Sequence, residues 1–301
     1  MNNIDSWFGL NMVDDNFFVL DSKINKAAVT VGKFDGIHRG HRLLLDRILE
    51  LKDEGYTAVV CMINMNKPGI LGSEERVKYL KSLGIDYVIS LEFTEKFASQ
   101  TPEEFIRDFL KKGLDASKVV VGRDFRFGHN REGDINALKE IGSKYGIDCE
   151  FFAKLTIDGK VVSSTLIRSA LERGDMEEVE KLLGRPYKLS GEVVHGKHIG
   201  STIGFPTINV FPEGDKLLPK YGVYASRIKI AGKEYRGITN IGVKPTVDGQ
   251  TATSETYIFD FDRDIYGEKV TVIPERFIRE EKKFSSVEEL KEQIKNDIEC
   301  S

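Results

Sequence analysis

The sequence predicts an α/β chain in two parts: an open parallel sheet with helices on both faces, then a small β-barrel closed by one helix. Three observations carry the prediction. Through the first two thirds, short apolar segments alternate with amphipathic helical ones, the pattern of parallel strands joined by helical crossovers. From Leu189 onward the helical period disappears, and short strand-like runs follow one another between Gly and Pro turns. A single capped helical segment then ends the chain.

Ala27–Val31 is the first strand, ending at Gly32. His41–Lys52 places Leu44, Leu45, Ile48, Leu49 and Leu51 on or near one helical face, and Gly55 closes it. Thr57–Ile63 reads as a buried strand, Glu74–Ser82 as a short helix stopped near Gly84, and Tyr87–Leu91 as a strand. Thr101-Pro102-Glu103-Glu104 opens a helix, with a Thr cap, Pro at the first position and Glu three residues after the cap. Val119–Gly122 and Cys149–Phe152 are strands flanking a helix over Ile135–Tyr145. Helices over Leu166–Arg173 and Met176–Leu183 precede Gly184-Arg185-Pro186, where a domain boundary is expected, giving parts 1–185 and 186–301. In the second part, Gly222–Ala225 leads into Arg227–Ile230, a turn at Ala231-Gly232 and a return strand from Glu234. Thr256–Phe261 and Lys269–Ile273 are further strands. Ser286 and Glu289 form a capping box for a helix over Val287–Ile298.

Composition narrows the function. With 301 residues there is room for about two domains. Hydrophobic residues at 40% and charged residues at 31% exclude a mainly disordered chain. A formal net charge of −4 gives no global electrostatic reason to bind nucleic acid or an anionic membrane. Cys61, Cys149 and Cys300 are scattered without CxxC spacing, which argues against a disulfide framework or zinc site and fits a reducing cytoplasm. Met1–Leu20 carries Asp5, Asp14 and Asp15 and lacks the apolar core of a secretion signal. No apolar run approaches the ~20 residues that span a bilayer.

Two constellations carry chemistry. Val29–His41 joins the first strand to the first helix, where an open parallel sheet binds its ligands. Gly32, Gly36 and Gly40 let backbone approach a phosphate, and the helix N-terminus favours negative charge. His38 and His41, three residues apart, can both meet one ligand and stabilise charge on a phosphate during displacement. Val121–Gly128 and Gly133-Asp134 form a second strand-end loop. In Val162–Arg168, Ser164 and Thr165 open a helix and Arg168 can reach a triphosphate, although Ser and Thr there serve equally as ordinary caps. In the second part, His195–Asn209 is dense in glycine, including Gly196 and Gly200, and can wrap a nucleotide with backbone amides. Thr207 and Asn209 share one side of an extended segment and offer hard oxygen ligands suited to Mg²⁺ with phosphates. Glu255 stands as a lone acid at the head of an apolar strand, a candidate general base for a hydroxyl.

The loop Gly32-Lys33-Phe34-Asp35-Gly36-Ile37-His38-Arg39-Gly40-His41 resembles the His-x-Gly-His signature of nucleotidyltransferases, in the form found in prokaryotic bifunctional riboflavin kinase/FMN adenylyltransferases, also called FAD synthetases. The Gly-Phe-Pro-Thr-x-Asn, Gly-Val-Tyr-Ala and Asn-Ile-Gly-x-x-Pro-Thr segments, the Glu before Asp-Phe, Tyr266-Gly267 and Phe277–Phe284 resemble the riboflavin kinase module. The resemblance runs in order along nearly the whole chain. It implies a Rossmann-like nucleotidyltransferase domain and a six-stranded antiparallel barrel. It implies that Gly32, Phe34, Gly40, Ser164 and Thr165 bind nucleotide beside His38, His41 and Arg168. It also implies that Asp124, Arg126 and Arg279 lie near flavin, that Thr207 and Asn209 hold Mg²⁺-ATP, and that Glu255 activates the riboflavin 5′-hydroxyl. The implied partners are riboflavin, FMN and ATP, with neither nucleic acid nor membrane; oligomeric state is not readable. Two segments depart: Met62-Ile63-Asn64-Met65-Asn66-Lys67 stands where the family carries Thr-Phe-x-Pro-His-Pro, and in the kinase loop Ile199 and Ser201 stand where Arg is common, Lys197 where Asp is usual and Ile208 where Ala is common. Two alternatives therefore stay open, a riboflavin kinase whose first domain binds nucleotide or flavin without adenylylating it, and a flavin sensor without turnover.

Overall fold

A computed structural model describes residues 10–13, 17–20, 24–64, 67–92, 94–195, 203–212, 214–246 and 249–301. Its contacts divide the chain into two compact units, Met1–Lys67 with Glu74–Val162, and Pro68–Ser73 with Ser163–Ser301.

The first unit opens with a hairpin of β1 (Leu10–Val13) and β2 (Phe17–Leu20). Its sheet has five parallel strands, β3 (Ala27–Gly32), β4 (Thr57–Ile63), β5 (Tyr87–Leu91), β6 (Ala116–Gly122) and β7 (Asp148–Phe152), in the order β5-β4-β3-β6-β7. Ala27, Ala28, Val29 and Thr30 of the central strand are all fully buried, as expected of a strand covered on both faces, and this explains its unbroken apolar run. The helices are α1 (Arg39–Asp53), α2 (Ser73–Ser82), α3 (Glu95–Ala98), α4 (Pro102–Glu104) and α5 (Ile135–Lys144). α4 carries the expected capping box, with the Glu104 amide donating to Thr101 Oγ1 at 3.2 Å and the Thr101 amide donating to Glu104 Oε2 at 2.8 Å. It continues as a π-helical segment, Phe105–Gly113, whose Phe105 and Phe109 pack at 5.3 Å between ring centres. Chain order reverses between β3 and β6. The crevice beyond Gly32 and Gly122 is therefore the ligand site such a sheet offers. A two-residue ribbon, β8 (Thr156–Ile157) and β9 (Lys160–Val161), follows.

The second unit contains α6 (Ser164–Arg173) and α7 (Met176–Leu183), then a closed antiparallel barrel. Its strands are β10 (Leu189–Val194), β11 (Thr207–Val210), β12 (Gly222–Ile230), β13 (Lys233–Thr246), β14 (Gly249–Ile258) and β15 (Lys269–Arg279), in the order β10-β11-β14-β13-β12-β15. α8 (Val287–Glu299) closes the chain, with Ser286 accepting the Glu289 amide as its cap. The buried barrel face holds Tyr224, Ile241, Val210 and Val272, with the Thr239 and Thr256 hydroxyls hydrogen-bonded at 2.9 Å.

Three boundaries differ from the sequence expectation for physical reasons. α1 starts at Arg39 because its cap is a histidine: His38 Nδ1 accepts the His41 amide at 3.3 Å. β15 runs six residues past Ile273, because Pro274, which has no amide hydrogen, is absorbed by register shifts opposite Ala225/Ser226 and Val223/Tyr224. Residues 163–185, expected with the first part, group with the barrel. The Lys220 amide donates to Leu171 O at 2.8 Å, and a Cβ at Gly174 would lie 3.1 Å from Tyr224 Oη and 3.2 Å from Phe277.

Candidate active sites

The loop after β3 is shaped by backbone conformations that side chains rarely adopt. Phe34 (φ +47°), Gly36 (φ +81°) and Ile37 (φ +42°) all lie in the left-handed region. For Phe34 and Ile37 this costs about 1–3 kcal/mol each, and such strain persists only where surrounding structure enforces it. Here Phe34 and Ile37 are fully buried, and Arg76 of α2 donates from Nη1 to Lys33 O at 2.9 Å. His38 folds back over the helix start, and a Cβ at Gly40 would meet its ring at 3.2 Å. The His38 and His41 rings stack at 3.7 Å, and Phe34 lies 5.0 Å from His41. Because His38 Nδ1 accepts a backbone hydrogen, the neutral ring carries its proton on Nε2. The predicted group Gly32, Phe34, His38, Gly40 and His41 is thus brought together at the positive end of α1.

At the neighbouring strand end, Asp124 and Arg126 are exposed. Asp124 pairs with Lys154 at 3.0 Å, and Arg126 Nη1 donates to Phe125 O at 3.0 Å. Phe125 and Phe127 stack at 5.6 Å, and the Phe127–Gly133 bridge needs glycine, since a Cβ there would lie 2.7 Å from the Phe127 ring. At the end of β4, Asn64 Oδ1 accepts from Ser90 Oγ at 2.6 Å; Asn66 lies outside the described residues, and Lys67 is exposed.

In the second unit Ser163, rather than Ser164 or Thr165, caps α6, accepting the Leu166 amide at 3.3 Å. Ser164 and Thr165 occupy its first turn. Arg168, one turn further on, donates from Nη2 to Pro68 O at 2.7 Å.

The barrel sets up a row across five strands, polar at every position but one. Asn209 of β11 is the direct partner of Glu255 of β14, and Glu255 is in turn the partner of Asn240 of β13. The row continues through Val223 of β12 to Arg279 of β15. Thr207, two residues before Asn209, lies on the same side of β11 and pairs with Tyr257. Asn240 Nδ2 donates to Glu281 Oε1 at 3.0 Å, and the Glu281 carboxylate fills the space a Cβ would take at Gly242. Gly196 and Gly200 lie outside the described residues.

Residues 20–166 match the FAD synthetase family and residues 183–301 the riboflavin kinase family. Across 89% of this chain and 90% of theirs, 39% of residues are identical to the bifunctional riboflavin kinase/FMN adenylyltransferase of Escherichia coli K12. The enzyme of that name from Bacillus subtilis is 34% identical over 90% of each chain. The chain belongs to the bifunctional riboflavin kinase/FMN adenylyltransferase family. A crystal structure described as a macrolide-efflux protein from Streptococcus pneumoniae superposes with a TM-score of 0.82 at 34% identity, covering 93% of this chain and 95% of its own. Among the described residues no helix is long and apolar enough to cross a membrane.

Within the riboflavin kinase half, Arg279 is held by the closing helix. Its guanidinium is engaged by Asp297 of α8, Nε at 2.8 Å from Oδ1 and Nη2 at 2.7 Å from Oδ2, while Gln293 donates to the same carboxylate at 3.0 Å. Asp297 is only 2% exposed, so this pair anchors the closing helix. Asn240 and Glu281 are not among the candidate residues the sequence singles out. Their signal lay in the Asn-Ile-Gly segment and the acidic pair after Arg279, but only strand register shows that Asn240 stands beside Glu255, and Glu281 reaches Asn240 through its side chain. In the FAD synthetase half, Arg76, which the sequence reading did not single out, is buried and donates to the loop after β3.

Proposed function

We propose that the chain builds flavin cofactors in two ATP-dependent steps, residues 186–301 phosphorylating riboflavin to FMN and residues 1–185 adenylylating FMN to FAD. In the first step the riboflavin 5′-hydroxyl oxygen attacks the γ-phosphorus of ATP. Glu255 takes the hydroxyl proton, the bond to the bridging oxygen breaks and ADP leaves. Asn209, buried beside Glu255, and Thr207 would hold Mg²⁺; both present neutral hard oxygens on one side of β11, which fits that cation. When bound, the cation offsets charge on the phosphates. Gly196 and Gly200 would wrap the nucleotide, and Arg279, braced by Asp297, would shape the flavin side.

In the second step an FMN phosphate oxygen attacks the α-phosphorus of ATP and pyrophosphate leaves. The nucleophile is already an anion, so no base is needed. His38 and His41 act as donors to the developing charge, helped by the end of α1 and by Arg168 on the triphosphate. Gly32, Phe34, Gly40, Ser164 and Thr165 would contact nucleotide, and Asp124 and Arg126 the flavin. These substrates are small molecules, which suits a cytoplasmic enzyme, and the proposed reactions call for neither nucleic acid nor membrane.

The observation that carries the reading is the row Asn209–Glu255–Asn240 in a chain that also holds the strained, histidine-capped loop at the sheet's switch point. Chromatography of products from riboflavin with Mg²⁺-ATP, sampled over time, tests it. FMN should rise first and FAD follow. FMN without FAD would leave a kinase with a binding domain, and neither product would leave a flavin sensor.

A further inference from the structure

Among the described residues of the barrel, two side-chain oxygens are buried without a hydrogen-bond partner, Asn240 Oδ1 and Thr253 Oγ1. Both residues lie on the sheet face that carries Glu255. Asn240 is the direct partner of Glu255 on β13, and Thr253 stands two residues before it on β14, opposite Gly242. The opposite face shows the contrast, since the Thr239 and Thr256 hydroxyls there satisfy each other at 2.9 Å. A buried oxygen without a partner lowers stability, so two of them beside one carboxylate call for a reason.

The orientation of the Asn240 amide is fixed chemically. Its Nδ2 donates to Glu281 Oε1 at 3.0 Å, and a carboxylate has no hydrogen to give back, so the carbonyl end must point elsewhere. Glu281 reaches Asn240 over Gly242, where any Cβ would collide with its carboxylate. The cations nearby are already engaged: Arg279 pairs with Asp297, Lys282 with Glu289 and Lys220 with Glu280. Glu281 is left to the neutral amide.

A carbonyl and a hydroxyl in want of partners beside the proposed base match one feature of riboflavin. Its ribityl chain carries hydroxyls at 2′, 3′ and 4′ in addition to the 5′-hydroxyl that Glu255 would deprotonate. Each of them can donate and accept; Asn240 Oδ1 can only accept, and Thr253 Oγ1 can do either. We infer that Asn240 and Thr253 receive ribityl hydroxyls, and that Glu281 is a positioning residue that keeps the Asn240 carbonyl free to accept one. The inference rests on the kinase reading of Glu255. It makes these residues specificity determinants: a site built to hydrogen-bond a hydroxyl rejects an analogue that lacks it, because the buried partner is then left unsatisfied.

The test compares riboflavin with 2′-, 3′- and 4′-deoxyriboflavin as phosphate acceptors, on the full-length parent and on Asn240→Ala, Thr253→Val, Glu281→Ala and Glu281→Gln. The parent should favour riboflavin over at least one deoxy analogue by about tenfold in kcat/KM. Asn240→Ala and Thr253→Val should each raise KM for riboflavin about three- to tenfold, the worth of one neutral hydrogen bond. The preference over that analogue should shrink by the same factor, with kcat and KM for ATP within about twofold of the parent. Glu281→Ala lets the amide rotate and should reproduce the Asn240→Ala loss. Glu281→Gln can still accept from Nδ2 and should recover most of it. Variants that keep the parent KM for riboflavin and the parent preference overturn the inference, as does a rise in KM for ATP in place of riboflavin. A parent that uses all three analogues as well as riboflavin overturns it too. Should Asn240→Ala fail to fold, Glu281→Ala with the parent KM and preference overturns it equally. A parent that forms no FMN from riboflavin overturns the kinase reading together with the inference, whereas FMN formed with one preference by parent and variants alike overturns the inference alone.

Discussion

Glu255 and Asn209 are direct partners across β14 and β11, with Asn240 flanking the glutamate from β13. A carboxylate set between two amides on one sheet face is held in register by backbone pairing rather than by its own rotamer. Its position is therefore robust to small changes in its neighbours, and its chemistry can be altered alone. Glu255→Gln keeps the size but cannot accept the hydroxyl proton. Riboflavin phosphorylation should fall by ~10²–10⁴-fold, while added FMN still becomes FAD. A normal phosphorylation rate, measured by FMN fluorescence after separation, would show that Glu255 is not the base.

His41→Ala should have the converse effect. The His41 ring stacks on His38 and lies beside Phe34, so its removal takes a donor and one wall of the loop. Losing a preorganised donor costs about 10²–10³ in rate. FAD formation should fall by that factor, and riboflavin phosphorylation should stay within twofold. Equal losses in both assays would contradict separate sites.

Asp297 and Arg279 provide a stability test. Removing one partner of a buried pair costs about 3–5 kcal/mol, because the other charge stays uncompensated. Arg279 is partly exposed, at 22% of its side chain, so Asp297→Ala should fall at the low end of that range. Arg279→Met combined with Asp297→Leu should be less destabilised than the sum of the single changes. Urea midpoints for the four chains decide it, and simple additivity would mean the pair is not coupled.

A fragment beginning at Ser163 should be more stable than one beginning at Tyr187. α7 buries Met176, Val179, Leu182 and Leu183 and packs on β15, while α6 buries Ile167 and Leu171. Each such side chain is worth about 1.5–3 kcal/mol when fully buried. Thermal melts of the two fragments should differ clearly, with the shorter one lower; matching melts would put the boundary back at Gly184-Arg185-Pro186.

The parts of the fold that the sequence revealed were those where burial leaves one signature. β4 and β5 run over the predicted residues because apolar residues fill every position but Thr57 and Ser90 and most of them are buried. The helix caps at Thr101 and Ser286 were legible because Thr and Ser with Glu three residues on is a local chemical pattern. What stayed hidden was set by tertiary context. Pro274 reads as a strand end until bulges absorb it. The long β13–β14 hairpin passes through Gly242 and Pro245, residues that read as turn. His38 is an unusual cap, so α1 was begun two residues late. At the sites, motif residues such as His41, Asn209 and Glu255 could be named from type and spacing. The surroundings of these residues, such as Asn240, Glu281 and Arg76, could not, because each is fixed by a partner 40 or more residues away.

The most direct measurement mixes the two inactive variants. Glu255→Gln supplies an intact adenylyl-transfer site and His41→Ala an intact kinase site. Neither alone should turn riboflavin into FAD. Combined with riboflavin and Mg²⁺-ATP, they should form FAD through released FMN, at a rate that rises with the concentration of each chain. Two variants that stay unable to make FAD when mixed, though each still performs its own half-reaction, would contradict free passage of FMN between two independent sites. Two variants that have each lost both half-reactions would contradict the two-site account itself.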